Sequence, residues 1–322
     1  MKTTTWIILK RAVRLGVATL LAGSAATVAF PQTNGGELTA QDIAAKTRAA
    51  YAALSSYSDT GTVESEIASQ TLTLTFSTRL QRPNQYRIDW TQNYMGLQGK
   101  VWSDGSGDYL QVDAGSPANP IALAAISAAG LQNGPNPQKM PDRRAALAGA
   151  AALSSSAAAT IPGAFFNQNC GDVFIYPAIA GRYPLKKEQD GKAGGVDCYV
   201  VSAEMDLSKV PDAGKPGTVS ATLWIGKQDF LVRQTRTRYV EKVDDNALLS
   251  DQTIDAASKQ TLVMQNQPAT PDAIAAMRPR MKAMMKQMQG TLKASFANGI
   301  LMTQTHENIS VNQKFSTSDF AE

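Results

Sequence analysis

The sequence predicts an α+β fold, one domain in which helices cover an antiparallel sheet. Three observations predict it. Apolar and polar residues alternate with a period of two in residues 72–90 and again within 196–239. Hairpin-type turns join most of these runs directly, so neighbouring strands run antiparallel. Helical spacing is confined to separate stretches near 39–57, 121–153 and 271–289.

Composition agrees with a packed protein. Of 322 residues, 43% are hydrophobic and 18% charged, with 24 Gly, 15 Pro and two Cys. These proportions exclude disordered, collagen-like and disulfide-dense classes and allow a large core. Lys and Arg number 31 against 27 Asp and Glu, a formal charge of +4. Lys2, Lys10, Arg11 and Arg14 supply the whole excess. The rest of the chain is balanced, which argues against nucleic acid as a partner.

Residues 1–29 have the form of an export signal. The four basic residues precede or flank an alanine-rich apolar run at 15–28, too short to span a bilayer comfortably. Small residues follow, and cleavage after Ala26 or Ala29 fits them. Leu20-Leu21-Ala22-Gly23 opens like a lipoprotein box, but Ser24 stands where a lipidated Cys would be. The expectation is a periplasmic, soluble, monomeric product, with residues 30–322 forming a single domain.

Along that domain, residues 39–57 read as a helix. Thr39 and Asp42 approximate a capping box, and Ile43, Thr47, Ala50, Tyr51 and Leu54 recur at helical spacing. Strands follow: Leu72, Leu74 and Phe76 alternate with threonines, then Tyr86, Ile88 and Trp90 resume after the Arg82-Pro83-Asn84 turn. A second hairpin turns at Ser103-Asp104-Gly105. Residues 114–168 break the pattern with alanine-rich helical pieces near 121–129 and 143–153. Strands are expected again near 173–176, 185–189, 196–204, 220–225 and 230–239. Residues 243–267 are polar and read as strand or loop. A helix over 271–289, begun by Thr270 and Pro271, carries Met281, Met284, Met285 and Met288 on one face, and Gly290 ends it. A last strand spans about 301–311.

Little in this inventory suggests chemistry. The single histidine, His306, lies in the last strand, and the sequence supplies no nucleophile and orienting group to go with it. The pairs Asp244/Asp245 and Glu204/Asp206 lack the spacing of a calcium loop. No phosphate-cradling glycine motif follows a strand. No enzyme, metal or cofactor is expected. Cys170 and Cys198, in an exported protein, are expected to form a disulfide closing a loop of about 27 residues, worth about 3 kcal/mol. The methionine face and the aromatics Phe76, Tyr86 and Trp90 fit either an ordinary core or an apolar pocket.

Five segments together carry a resemblance. RLQRPNQYRIDW at 79–90 precedes VWSDGSGDYLQ at 101–111, and DCYVVSAEMD at 197–206 precedes ATLWIGKQDFLVRQTRT at 221–237. With AYAALSSYSDTGTV at 50–63, they resemble the outer-membrane lipoprotein carrier superfamily, LolA/LolB-like, in its functionally unassigned periplasmic branch. The chain departs from it by insertions near 114–168 and 242–290. The resemblance implies an incomplete antiparallel β-barrel covered by helices, with acyl chains held in its apolar interior. It also implies that Arg82 clasps the lid. Leu72, Leu74, Phe76, Tyr86, Ile88 and Trp90 would then line a cavity covered by the methionine helix.

On that basis the expected function is to bind or carry an apolar, lipid or acyl-bearing ligand, with a role in outer-membrane lipoprotein sorting. Partners would be a lipid or acylated protein and envelope membrane proteins. The alternative is an envelope-stress sensor that detects lipids or lipoproteins.

Overall fold

A computed structural model of the chain describes residues 37–67, 70–93, 96–115, 120–170, 175–206, 217–241, 249–264 and 268–321. The expected export signal lies outside them. Helix α1 (Ala40–Ala53) opens the domain, and its capping box closes as the sequence predicts, with Thr39 and Asp42 each satisfying the other's backbone N–H. It stops before the predicted end at residue 57, because Leu54 is extended and the chain enters the sheet at Ser56.

Five strands then meander: β1 (Ser56–Ile67), β2 (Gln70–Gln81), β3 (Gln85–Gln92), β4 (Leu97–Ser103) and β5 (Asp108–Asp113). Helix α2 (Pro120–Ala128), edge strand β6 (Gln138–Met140), α3 (Arg143–Leu153), α4 (Thr160–Phe166) and α5 (Ile175–Ile179) form the alanine-rich insertion. The sheet resumes with β7 (Lys186–Lys187), β8 (Gly191–Ala193), β9 (Val196–Asp206), β10 (Gly217–Gly226) and β11 (Val232–Glu241). Two helices, α6 (Asp251–Met264) and α7 (Pro271–Asn298), precede β12 (Ile300–Val311), and a 3-10 turn at Thr317–Phe320 follows.

The strands make one antiparallel sheet in the order β6-β5-β4-β3-β2-β1-β12-β11-β10-β9-β7, with β8 on β9. The final strand therefore joins two meanders by pairing β1 on one side and β11 on the other. The sheet is open, not closed into a barrel, and helices lie over it, as an incomplete antiparallel barrel requires. Among the described residues, no helix is long and apolar enough to cross a membrane.

Several elements differ from the sequence reading. The apolar run at 173–176, read as a strand, enters helix α5 at Ile175; apolar runs this short do not distinguish the two by periodicity. Residues 251–264 of the polar stretch are helical, because Ile254, Ser258 and Leu262 recur every fourth residue and are buried. Helix α7 runs past Gly290 to Asn298. It ends instead at Gly299, whose φ of +78° suits glycine in the position after a helix. There a Cβ would lie 2.7 Å from the Tyr239 carbonyl oxygen.

Candidate functional site

Cross-strand register places the expected cavity residues on one face. Leu80 pairs with Tyr86, Thr78 with Ile88, Phe76 with Trp90, and Leu74 with Gln92. All eight are buried, whereas Leu72, at the outer end of β2, is half-buried. The ladder continues from Tyr86 to Ser103, Ile88 to Val101 and Trp90 to Gly99. Glycines opposite the aromatics make room for the rings: a Cβ on Gly99 would lie 2.1 Å from the Trp90 ring, and one on Gly61 2.4 Å from Phe76. Across the sheet, Val201, Ala203, Ala221 and Leu223 belong to the same apolar cluster.

Helices α2 to α5 cover this inner face largely with small side chains. Ala122, Ala125, Ala146, Ala150, Ala157 to Ala159, Ala164 and Ala178 are buried in the cluster, together with Leu147, Ile161, Phe165 and Phe166. The α3 N-terminus is capped by Asp142, which accepts from the Ala145 N–H at 2.8 Å.

Three side chains from outside the cover hold the C-terminal ends of its helices. Arg82 donates from Nη2 to the Phe165 carbonyl near the end of α4 at 2.6 Å. Its Nε donates to the Leu54 carbonyl just beyond α1 at 2.9 Å, and its guanidinium stands 4.6 Å from the Phe165 ring centre. Arg48, on α1, donates to the carbonyl of Ile179, the last residue of α5, at 2.6 Å. Gln92, on β3, donates to the carbonyl of Leu153, the last residue of α3. The final carbonyls of a helix lack intrahelical partners and carry its negative pole, so they are natural acceptors for such donors. Burial and the neighbouring Arg143 charge lower the Arg82 pKa. Arg143 itself lies 4.1 Å from the Phe166 ring centre and bonds Gln168 Oε1 and, from the Arg82-Pro83-Asn84 turn, Asn84 Oδ1. The sequence reading singled out Arg82 and missed Arg48, Gln92 and Arg143; no local motif marks them.

The methionine face packs on the same side of the sheet at its β11–β12 end, where Tyr239 pairs with Ile300 and adjoins both the main apolar cluster and the methionines. Met281 and Met285 are buried with Ile254 and Ile300 in a second cluster, against which Met284 packs partly buried. They cover the end of β12 and do not join Leu74, Phe76 and Trp90 in the main cluster. The α7 backbone includes Met288, whose side chain lies outside the described residues.

The expected Cys170–Cys198 bridge is not formed. Both are buried thiols, with Sγ 3.3 Å from the carbonyl oxygens of Gln168 and Val196 respectively. Cys170 is part of the main cluster under the helices. On β9 the alternate residues Val201, Ala203 and Met205 enter that cluster, which turns Cys198, paired in the ladder with Gly191 of β8, to the opposite face. The sheet itself separates the two sulfurs.

His306 is buried on the inner face. Its Nδ1 is 2.6 Å from Asp59 Oδ2, which also accepts from the Tyr57 hydroxyl at 2.9 Å. Burial first, and Asp59 second, push the Tyr57 pKa well above its usual value, so the phenol keeps its proton and donates. The sequence offered no partner because Asp59 is on the first strand and His306 on the last. No hydroxyl or thiol bonds the remaining ring nitrogen. No group of three or more potential metal-ligating side chains occurs among the described residues.

No family model and no curated protein matches the chain. Solved structures do. The lipoprotein LppX of Mycobacterium tuberculosis matches with a TM-score of 0.37 at 10% identity, over 86% of this chain and 97% of that one. LprF of Mycobacterium bovis matches with 0.36 at 10%, over 86% and 95%. A LolA superfamily protein from Nitrosomonas europaea matches with 0.30 at 8%, over 89% and 99%. At TM-scores this low the likeness carries no argument about family or function.

Proposed function

We propose that this protein binds a lipid or other acyl-bearing molecule between the inner sheet face and the α2–α5 cover, and carries it within the periplasm. One observation carries the reading: an apolar sheet face is covered by helices built largely from alanine and held at their ends by a few side chains. A helix that presents methyl groups buries little area per residue, and burial is worth about 25 cal/mol per Å². An acyl chain can therefore replace the cover's contacts at small net cost, while the strands keep their hydrogen-bond ladders. Release of the Phe165 carbonyl by Arg82 would free α4, and the cover would part from the sheet. Binding would be non-covalent, with donors and acceptors among envelope membrane proteins or acylated proteins.

The test is native mass spectrometry and lipid extraction on protein isolated from the periplasm, with titration of a fluorescent acylglycerol. Co-purifying acyl species and saturable probe binding are expected. Protein that carries no acyl species and binds no probe overturns the reading.

A further inference from the structure

Near the middle of β1 and β12 the inner face carries a cluster of polar side chains. There Asp59, Gln304 and His306 are each 4% exposed. Asp59 Oδ1, His306 Nε2 and Gln304 Nε2 are buried and have no hydrogen-bond partner. Such groups ordinarily cost stability unless something satisfies them. Their placement is built into the sheet. His306 pairs with Gly61, which has no side chain to block it, so the imidazole reaches diagonally to Asp59. The register of β1 and β12 shifts between Ser58 and Thr60, with Asn308 at a φ of +52°, a bulge that re-aims side chains beside it. Gln304 lies two residues along β12 on the same face, about 7 Å away by strand rise. The Phe76 ring meets the imidazole edge-on at 5.5 Å between centroids, so this polar step adjoins the main apolar cluster.

The donors and acceptors define a ligand class. A carboxylate only accepts, so the proton between Asp59 and His306 belongs on Nδ1, and Nε2 of a ring with that single proton is an acceptor. Asp59 Oδ1 is a second acceptor, and the Gln304 amide is a donor. A fatty-acid carboxylate or a phosphate would bring a second negative charge against buried Asp59, in a medium where like charges repel strongly. A neutral ester without a hydroxyl could use only Gln304. We infer that Asp59, His306 and Gln304 form a subsite for the uncharged hydroxyl-bearing head of an acyl ester, such as a monoacylglycerol. The hydroxyl donates to His306 or Asp59, and an oxygen of the head accepts from Gln304. This deepens the lipid-binding reading above and rests on it.

The experiment compares monooleoylglycerol, oleate and methyl oleate on the full chain by displacement of a bound fluorescent acylglycerol. Monooleoylglycerol should bind at least about 10-fold more tightly than either of the others. The double variant Asp59→Leu/His306→Leu, which removes the acceptors of the hydroxyl, should erase most of that preference. Gln304→Met, which removes the unpartnered amide and keeps the side chain's length, should weaken monooleoylglycerol and methyl oleate alike, by about 3-fold or more, and should not lower the melting temperature of the ligand-free protein. Should the double variant fail to fold, the joint weakening of both neutral ligands in Gln304→Met remains the test. Equal affinities for the three probes, a preference untouched by the double variant, or neutral-ligand binding untouched by Gln304→Met overturn the subsite and leave lipid binding standing. Binding of none of the three overturns both.

Discussion

Arg82 donates to the carbonyl of Phe165 across 83 positions of sequence, joining the turn between β2 and β3 to the end of α4. The same guanidinium holds the Leu54 carbonyl, so one side chain fixes the exit of α1 and a helix of the cover together. Hydrogen bonds from a charged donor contribute about 1.5–3 kcal/mol each. Arg82→Leu should therefore loosen α4 more than it loosens the sheet. Hydrogen exchange is expected to rise over residues 160–166 while the β2 and β3 amides keep their protection, and ligand dissociation should quicken about 10-fold. Arg82→Lys should not restore the slow rate, because a compact ammonium lacks the planar fork whose Nε and Nη2 reach separate carbonyls while the guanidinium stands against the Phe165 ring. Unchanged exchange at 160–166 would count against the clasp.

The α1 capping box gives a pH signature. Bonds from the Thr39 side chain and backbone, in that order, hold the Asp42 carboxyl below its usual value of 3.8. A folded-state pKa below the unfolded one adds stability that is fully present above the unfolded value. That stability disappears as pH falls through the folded value. Asp42→Asn should lower the melting temperature at pH 7, and the gap to the parent should close as pH drops below about 4. Thermal scans between pH 7 and pH 3 measure this. A gap that stays constant across that range would show that the charge plays no part.

Much of the sheet was legible in the sequence because its inner and outer faces alternate cleanly, as in Leu74, Phe76, Tyr86, Ile88 and Trp90. The α2–α5 cover was only partly legible. Residues 157–159 and 161–166 are apolar throughout, and buried helices without a polar face lose the 3.6-residue signal. Helix α6 was missed for the opposite reason, since its buried stripe is thin among polar residues. The contacts from Arg48, Gln92 and Asp59 span 131, 61 and 247 positions. No spacing rule reaches that far. Arg82 was found through the turn it belongs to. The disulfide expectation failed because an even cysteine count carries no information on which face of a sheet each sulfur occupies.

The thiols themselves are testable. Burial raises the Cys198 pKa, so its reactive thiolate is scarce near neutral pH. Freshly isolated protein should react slowly with a colorimetric thiol reagent in its native state. In denaturant without reductant, both Cys170 and Cys198 should titrate. Two thiols per chain is the expected count, and none in denaturant would establish the bridge after all.

Glycine at two inner-face positions separates backbone crowding from side-chain crowding. The three atoms nearest a Cβ at Gly99 all belong to the Trp90 ring, the closest at 2.1 Å. A Cβ at Gly61 would meet the Thr305 carbonyl oxygen at 2.0 Å as well as the Phe76 ring. An indole can shift by rotation about its side-chain bonds, whereas the Thr305 carbonyl is fixed in the β1–β12 ladder. Overpacking of this kind costs about 1–3 kcal/mol where side chains can yield. Gly99→Ala should fall in that range, and Gly61→Ala should exceed it by prising β12 away from β1. Because Gly61 faces His306, its replacement should also disturb the Asp59–His306 contact and with it the acylglycerol preference. Urea unfolding midpoints for the two variants, read beside probe displacement, decide the matter. Equal midpoints would mean that the close approach of β1 and β12 at Thr305 is not what requires glycine at position 61.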